Sequence, residues 1–171
     1  MSKRDHTRDE PKPLLDRKML PLDRMQRDAM LVLILEWAKI DGTLGLFLSL
    51  LHEFEPEEGA LLIQGMKAAQ VFQDARKVVR DRPGGQEYAR KLGKMKKLYE
   101  AHSPVRNRIA HATCLGVDGD DPNLILFIRF AADNDGLIAE EVSLDQINDA
   151  IDFARNLNRY LEEASILLLV D

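Results

Sequence analysis

The chain contains one cysteine, Cys114, so it can form no internal disulfide and no zinc site built on a cysteine cluster. It also lacks a long apolar run. The most nearly uninterrupted one, Ala29 to Leu35, is closed by Glu36 and falls far short of the roughly 20 residues that span a bilayer. The opening MSKRDHTRDEPKP has no apolar centre of the kind a secretion signal needs, so the expected setting is the cytoplasm, away from membranes. No two histidines stand four apart, which removes the usual helical metal pair. Internal repeats, low-complexity segments and a helix-turn-helix pattern with a short glycine turn are missing too, the last of which argues against a DNA-binding regulator. The expectation is a protein that needs neither metal nor cofactor.

What is present fits one domain. A length of 171 residues gives a single core, and 45% hydrophobic with 31% charged residues is ordinary globular composition, which leaves little room for two independent domains. The net charge of −5 conceals a sharp division. From Gln64 to His111 there are twelve Lys or Arg against four Asp or Glu; from Ala112 to Asp171 there are three against thirteen. Either an anion would be drawn to the first stretch and repelled by the second, or two solvated faces merely differ in sign.

Residues 1–20 are polar and punctuated by Pro11 and Pro13, and are expected to form a mobile or loosely docked tail before a single domain over 21–171. Asp23 is an N-cap candidate. Behind it Met25, Ala29, Val32 or Leu33, Trp37, Ile40, Leu44, Leu48 and Leu51 recur at helical spacing, in one long helix or two collinear ones, with a kink or close helix approach expected at Asp41-Gly42-Thr43. After Glu55-Pro56-Glu57-Glu58, a second helix carries Leu62, Met66, Ala69, Phe72, Ala75 and Val79 and stops near Pro83-Gly84-Gly85. A third begins near Gln86, with Tyr88, Leu92, Met95, Tyr99 and His102 on one side. Arg90, Lys94 and Lys97 form a basic row on another side that stays in register with Arg108. Ser103-Pro104 is expected to kink or restart this helix. Beyond Ala112 the period changes to that of strands, at 113–117, 123–131 and 137–142, separated by Asp- and Gly-rich turns. Ser143 with Gln146 then makes a capping box for a last helix over about 144–169. The expected fold is mainly α: a four-helix bundle with a small antiparallel β-meander inserted before the last helix.

Chemistry concentrates in Arg106-Asn107-Arg108-Ile109-Ala110-His111. Asn107 and His111 are four apart and share a helix face, so the amide can orient the imidazole. Arg106 is five residues from His111, about 140° around a helix and roughly 7.5 Å along it, so convergence needs a kink, unwinding, or two copies of the motif meeting across a dimer. Converged, the three suit RNA phosphodiester cleavage. An imidazole with an unperturbed pKa of about 6.5 moves the proton and a guanidinium fork takes the charge growing on phosphate. Arg90, Lys94, Lys97 and Arg108 would follow the RNA backbone. The plainer alternative is structural: histidine favours a helix C-terminus, and arginine caps carbonyls or pairs with a carboxylate. His52 and His102 are read as packed or capping residues, Cys114 as a small buried side chain, and Trp37 and Phe47 as core or dimer contacts.

The run from Arg106 to His111 resembles the arginine, four to six residues, histidine signature of the HEPN superfamily, often seen as Arg-Asn-x-x-x-His. The setting is similar as well, a helical bundle with the motif late in the third helix and a first helix bearing a tryptophan and an acidic residue, here Trp37 and Asp41. The resemblance implies a homodimer whose paired motifs form one composite cleft, with Arg106, Asn107 and His111 catalytic. It implies metal-independent endoribonuclease activity leaving a 2′,3′-cyclic phosphate, in a toxin or phage-defence context with an antitoxin or regulatory protein as partner. Thr113 stands where one toxin subgroup has a tyrosine, and the strand insertion lies outside the minimal bundle. The alternative expectation is a non-catalytic helical dimer that binds a partner protein or a nucleotide.

Overall fold

A computed structural model describes residues 17–63, 66–130 and 136–170. The fold is mainly helical, with a small antiparallel sheet ahead of the last helix. In chain order the elements are β1 (Met19–Leu20), α1 (Arg24–His52), α2 (Pro56–Ile63), α3 (Ala68–Arg80), α4 (Gln86–His111), β2 (Thr113–Asp118), β3 (Leu124–Phe130), β4 (Leu137–Ser143) and α5 (Leu144–Val170). Strands follow one another in the order β1-β2-β3-β4, every pair antiparallel.

Helix α1 is continuous because its ends are well closed and its apolar row is unbroken. The Gln26 N–H donates to Asp23 Oδ1 at 2.8 Å, and the Asp23 N–H donates back to Gln26 Oε1 at 2.8 Å, a reciprocal cap. The Gln26 side-chain amide also donates to the Pro122 carbonyl at 2.9 Å, which moors the start of α1 to the β2–β3 turn. Leu33, Trp37, Ile40, Leu44, Phe47, Leu48 and Leu51 are all buried, each contributing roughly 1.5–3 kcal/mol over an exposed position. This row packs on α5, which offers Ile147, Ile151, Ala154, Leu157 and Leu161, and on α3, which offers Val71, Phe72, Ala75 and Val79. The sheet lays Ile125, Phe127 and Val142 against the same core.

Several expectations need correction. Five helices are present among the described residues, not four, because the second apolar pattern is divided into α2 and α3. The helix-period spacing of Leu62, Met66 and Ala69 spans the division and so conceals it. At Gly42 a Cβ would meet nothing within 4 Å, so no neighbour approaches closely there. Met25 is 64% exposed and lies outside the core. The tail expected to run to Leu20 is docked from Arg17 onward; residues 1–16 lie outside the described residues. Met19 and Leu20 pair with Asp118 and Val117, and the Arg17 guanidinium joins the carboxylates of Asp118 (2.6 Å) and Glu141. Gly116 makes this possible: at φ +124° it sits in a bulge of β2, where the Leu20 carbonyl crowds the space a Cβ would take. The expected strand boundaries and the cap on α5 agree closely with those observed; the Gln146 N–H donates to Ser143 Oγ at 3.0 Å and the Ser143 N–H to Gln146 Oε1 at 2.9 Å.

Candidate functional site

The six-residue motif occupies the last two turns of α4, and α4 reaches it without a restart. Pro104 lies inside the helix. It has no N–H to offer the Glu100 carbonyl four residues back, and the Ser103 hydroxyl donates to that oxygen instead, at 3.4 Å. Ser103 is therefore a substitute donor within the helix and not an N-cap. Val105, 7% exposed, joins the core on one side of the proline, and Tyr99 packs against it on the other through Trp37 (ring centroids 5.5 Å) and Phe72 (5.6 Å). Packing on both sides holds the axis together across a residue that would break an isolated helix.

This continuity keeps Arg106 and His111 apart within one copy. Arg106 is half-buried, close enough to Asp41 and Tyr99 for its charge to act on both. Burial pushes the Asp41 carboxyl above the ordinary range and the Arg106 charge partly offsets it, although no ion pair within 4 Å joins the two. The Tyr99 hydroxyl is raised chiefly by burial. The Arg106 guanidinium donates from Nη1 to Asn107 Oδ1 at 3.1 Å, while its Nε, shielded from solvent, has no hydrogen-bond partner. Asn107 and His111 are exposed and line one open cavity of about 380 Å³ with Pro104, Arg108, Ala112, Arg129 and Glu140. Arg106 thus reaches this cavity only through Asn107.

The far wall of that cavity comes from the sheet. The Glu140 carboxylate on β4 pairs with Arg108 Nε at 3.2 Å and accepts a hydrogen bond from Arg129 Nε at 3.4 Å, so one oxygen faces two guanidinium groups at the cavity rim. Arg129 and Glu140 were not expected as site residues. The acidic balance of the C-terminal stretch pointed away from them, and the only sequence signal was Arg129 itself, one of three cations among thirteen carboxylates. Chemically the arrangement offers an imidazole open to solvent, a carboxamide beside it and two cations within reach of an anion.

Arg90, Lys94 and Lys97 are elsewhere, toward the start of α4. With Gln86, Ala89 and Gly93 they line a second cavity of about 350 Å³, which α3 closes with Arg76 and Arg80. Arg108, expected to act alongside them, stays in helical register but lines the His111 cavity and pairs with Glu140. His102 stacks on Phe153 (5.1 Å) and His52 on Phe54 (5.2 Å), both in packing roles. Cys114 is half-buried, which pushes its thiol up. Among the described residues no group of three or more His, Cys, Asp or Glu is gathered so as to hold a metal ion, and no helix is long and apolar enough to cross a membrane. No protein family, curated protein or solved structure matches the chain.

Proposed function

We propose that the chain is a HEPN-type endoribonuclease that works as a homodimer, with Arg106, Asn107 and His111 as its catalytic residues. The observation that carries this reading is the exposed end of α4, where Asn107 and His111 open into one cavity with Arg108 and Arg129 and where Arg106 donates from Nη1 to Asn107. In the reaction, a ribose 2′-oxygen attacks the adjacent phosphorus as its proton passes to an imidazole. The P–O5′ bond breaks as the leaving oxygen is protonated. The products are a 2′,3′-cyclic phosphate and a 5′-hydroxyl. One His111 serves as base and the partner copy's as acid, while Arg106 takes the negative charge on the phosphoryl oxygens. The dimer supplies the convergence that an unbroken helix denies to a single chain, and the chemistry calls for no metal. A toxin or phage-defence role, held in check by an antitoxin or regulatory protein, is the setting in which such an activity fits.

The test is cleavage of single-stranded RNA in EDTA. His111→Ala is expected to lower the rate by about 10²–10⁴-fold, the usual worth of a general acid or base, and Arg106→Ala to do comparable damage, with circular dichroism unchanged in both. Cleavage untouched by both substitutions discards the proposal. One observation favours a second reading: Arg106 lies in the field of Asp41, as a structural arginine would. On that reading the chain is a non-catalytic helical dimer that binds a partner protein or a nucleotide, and Arg106→Ala would lower thermal stability without any nuclease activity to lose.

A further inference from the structure

The cavity between α3 and α4 differs from the rest of the surface in how its charges are matched. Elsewhere on α4, Lys91 pairs with Glu87 (3.3 Å) and Lys96 with Glu100 (3.1 Å), each one turn away. In the cavity, Arg76, Arg90, Lys94 and Lys97 have no carboxylate within 4 Å among the described residues, and Arg80 has only its exposed neighbour Asp81 (3.2 Å). Among the described residues no acidic side chain lines it. Five cations around about 350 Å³ repel one another and concentrate a positive field in a concave surface. Gly93 makes the enclosure possible, because a Cβ there would sit 3.4 Å from the Arg76 guanidinium carbon and a longer side chain would fill the floor.

The position of this cavity relative to His111 follows from the unbroken helix. Residues 90, 94, 97, 101, 104, 108 and 111 alternate steps of four and three, so they form one row along α4. Arg90, Lys94 and Lys97 stand at one end of the row, and Pro104, Arg108 and His111 at the other. Between them Ala101 and Pro104 are exposed and uncharged, and nothing on α4 itself rises between the two cavities. From Lys97 to His111 the rise is roughly 21 Å.

We propose that Arg76, Arg80, Arg90, Lys94 and Lys97 form a phosphate grip for single-stranded RNA, displaced along α4 from the cleaved bond. This rests on the nuclease reading and deepens it: the substrate is a strand that continues several nucleotides to one side of the reacting phosphate. Among the described residues no aromatic ring lines the cavity to stack a base, so the grip holds backbone without regard to sequence.

Binding is measured separately from cleavage, using full-length His111→Ala and a labelled single-stranded RNA of about 20 nucleotides, longer than the roughly 4–16 that a single-strand groove occupies. Arg76→Glu with Arg80→Glu is expected to weaken binding by about tenfold or more and to flatten the log–log salt dependence by about 1.4, that is, 0.7 per lost phosphate contact. Arg159→Glu, reversing an exposed cation of α5, leaves affinity within about twofold. Should the double reversal disturb folding, Arg76→Gln with Arg80→Gln gives a smaller loss in the same direction. Affinity unchanged in the cavity variants overturns the proposal, as does an equal loss in Arg159→Glu, or displacement of the RNA by polyglutamate at the same charge concentration. In the wild-type chain, cleavage that is equally fast on dinucleotides and on long strands also overturns it. Lost binding in a chain that never cleaves RNA supports the grip and sinks the nuclease, whereas unchanged binding in a chain that does cleave sinks the grip alone.

Discussion

Replacing Glu140 by glutamine separates what the His111 cavity does for the fold from what it does for a ligand. The carboxylate holds Arg108 at 3.2 Å and Arg129 at 3.4 Å; the side chains are 20% exposed for Glu140, 29% for Arg108 and 47% for Arg129. That places the cluster between an exposed pair, worth about 0.2–1 kcal/mol, and a fully buried one, whose disruption costs about 3–5 kcal/mol. Glutamine keeps an oxygen that can still accept from one arginine, so no donor is stranded completely. Two partly screened contacts then give a loss of about 1–2 kcal/mol, or roughly 2–8 °C in Tm for a chain of this size. Ligand binding moves the other way. With the carboxylate neutralised, the two guanidinium groups at the cavity rim lose their counter-charge and at least one is freed for phosphate. RNA affinity in the His111→Ala background rises, and its salt dependence steepens by about 0.7 if one new contact forms. Urea denaturation and fluorescence anisotropy on the same protein read both quantities. Weaker or unchanged RNA binding refutes the reasoning, because the cluster would then be a brace for the sheet with no part in anion recognition. A stability loss well above about 3 kcal/mol refutes the partial-screening estimate.

Three further predictions concern the scaffold. Gly59 lies against the Ser49 side chain, into which a Cβ would drive directly, so Gly59→Ala is expected to cost about 1–3 kcal/mol in chemical denaturation. Adding Ser49→Gly should restore part of that loss, and no restoration would place the cost elsewhere. The Asp118 carboxyl is held below its ordinary range, first by the Asp120 backbone N–H and then by Arg17, so its contribution to stability is present above about pH 4 and disappears as pH falls below it. Asp118→Asn is therefore expected to flatten the acid limb of a stability–pH profile. Asp41 has the opposite sign: burial raises its carboxyl, so its contribution is fully present at low pH and is lost as pH rises through the raised value. An Asp41→Asn profile that falls more steeply with rising pH than the parent's would contradict this.

Local signals in the sequence reported local structure well. Ser143 with Gln146 announced α5, and the change of period after Ala112 announced the strands, because caps and alternation depend on residues within a few positions of each other. Ile40, Leu44 and Leu48 were readable as an apolar helix face for the same reason, whereas spacing left Val32 and Leu33 as alternatives. Three features depend on distant partners and were not readable. Met19–Leu20 is a strand only because Gly116 leaves room for the Leu20 carbonyl and Arg17 finds two carboxylates more than 100 residues away. Pro104 was expected to kink or restart α4; no restart occurs, because Ser103 and the packing of Val105 and Tyr99 maintain the helix. In the candidate site, Asn107 and His111 were correctly placed together by helical spacing. Arg129 and Glu140 came in through strand pairing, and Arg76 and Arg80 through the packing of α3 on α4.

The unbroken passage of α4 through Pro104 also limits how its length can vary. One residue inserted between 98 and 103 would turn everything beyond it by about 100° and advance it by roughly 1.5 Å. Val105 would then leave the core and His111 would leave the row that starts at Arg90. The number of residues here is therefore constrained apart from the contacts that Tyr99, His102 and Ser103 make. An insertion of seven, close to two full turns, comes nearest to restoring both the buried side and the row, with the two cavities roughly 10.5 Å farther apart. A designed chain with such a step would test whether the proposed phosphate grip still acts with His111 at the greater separation.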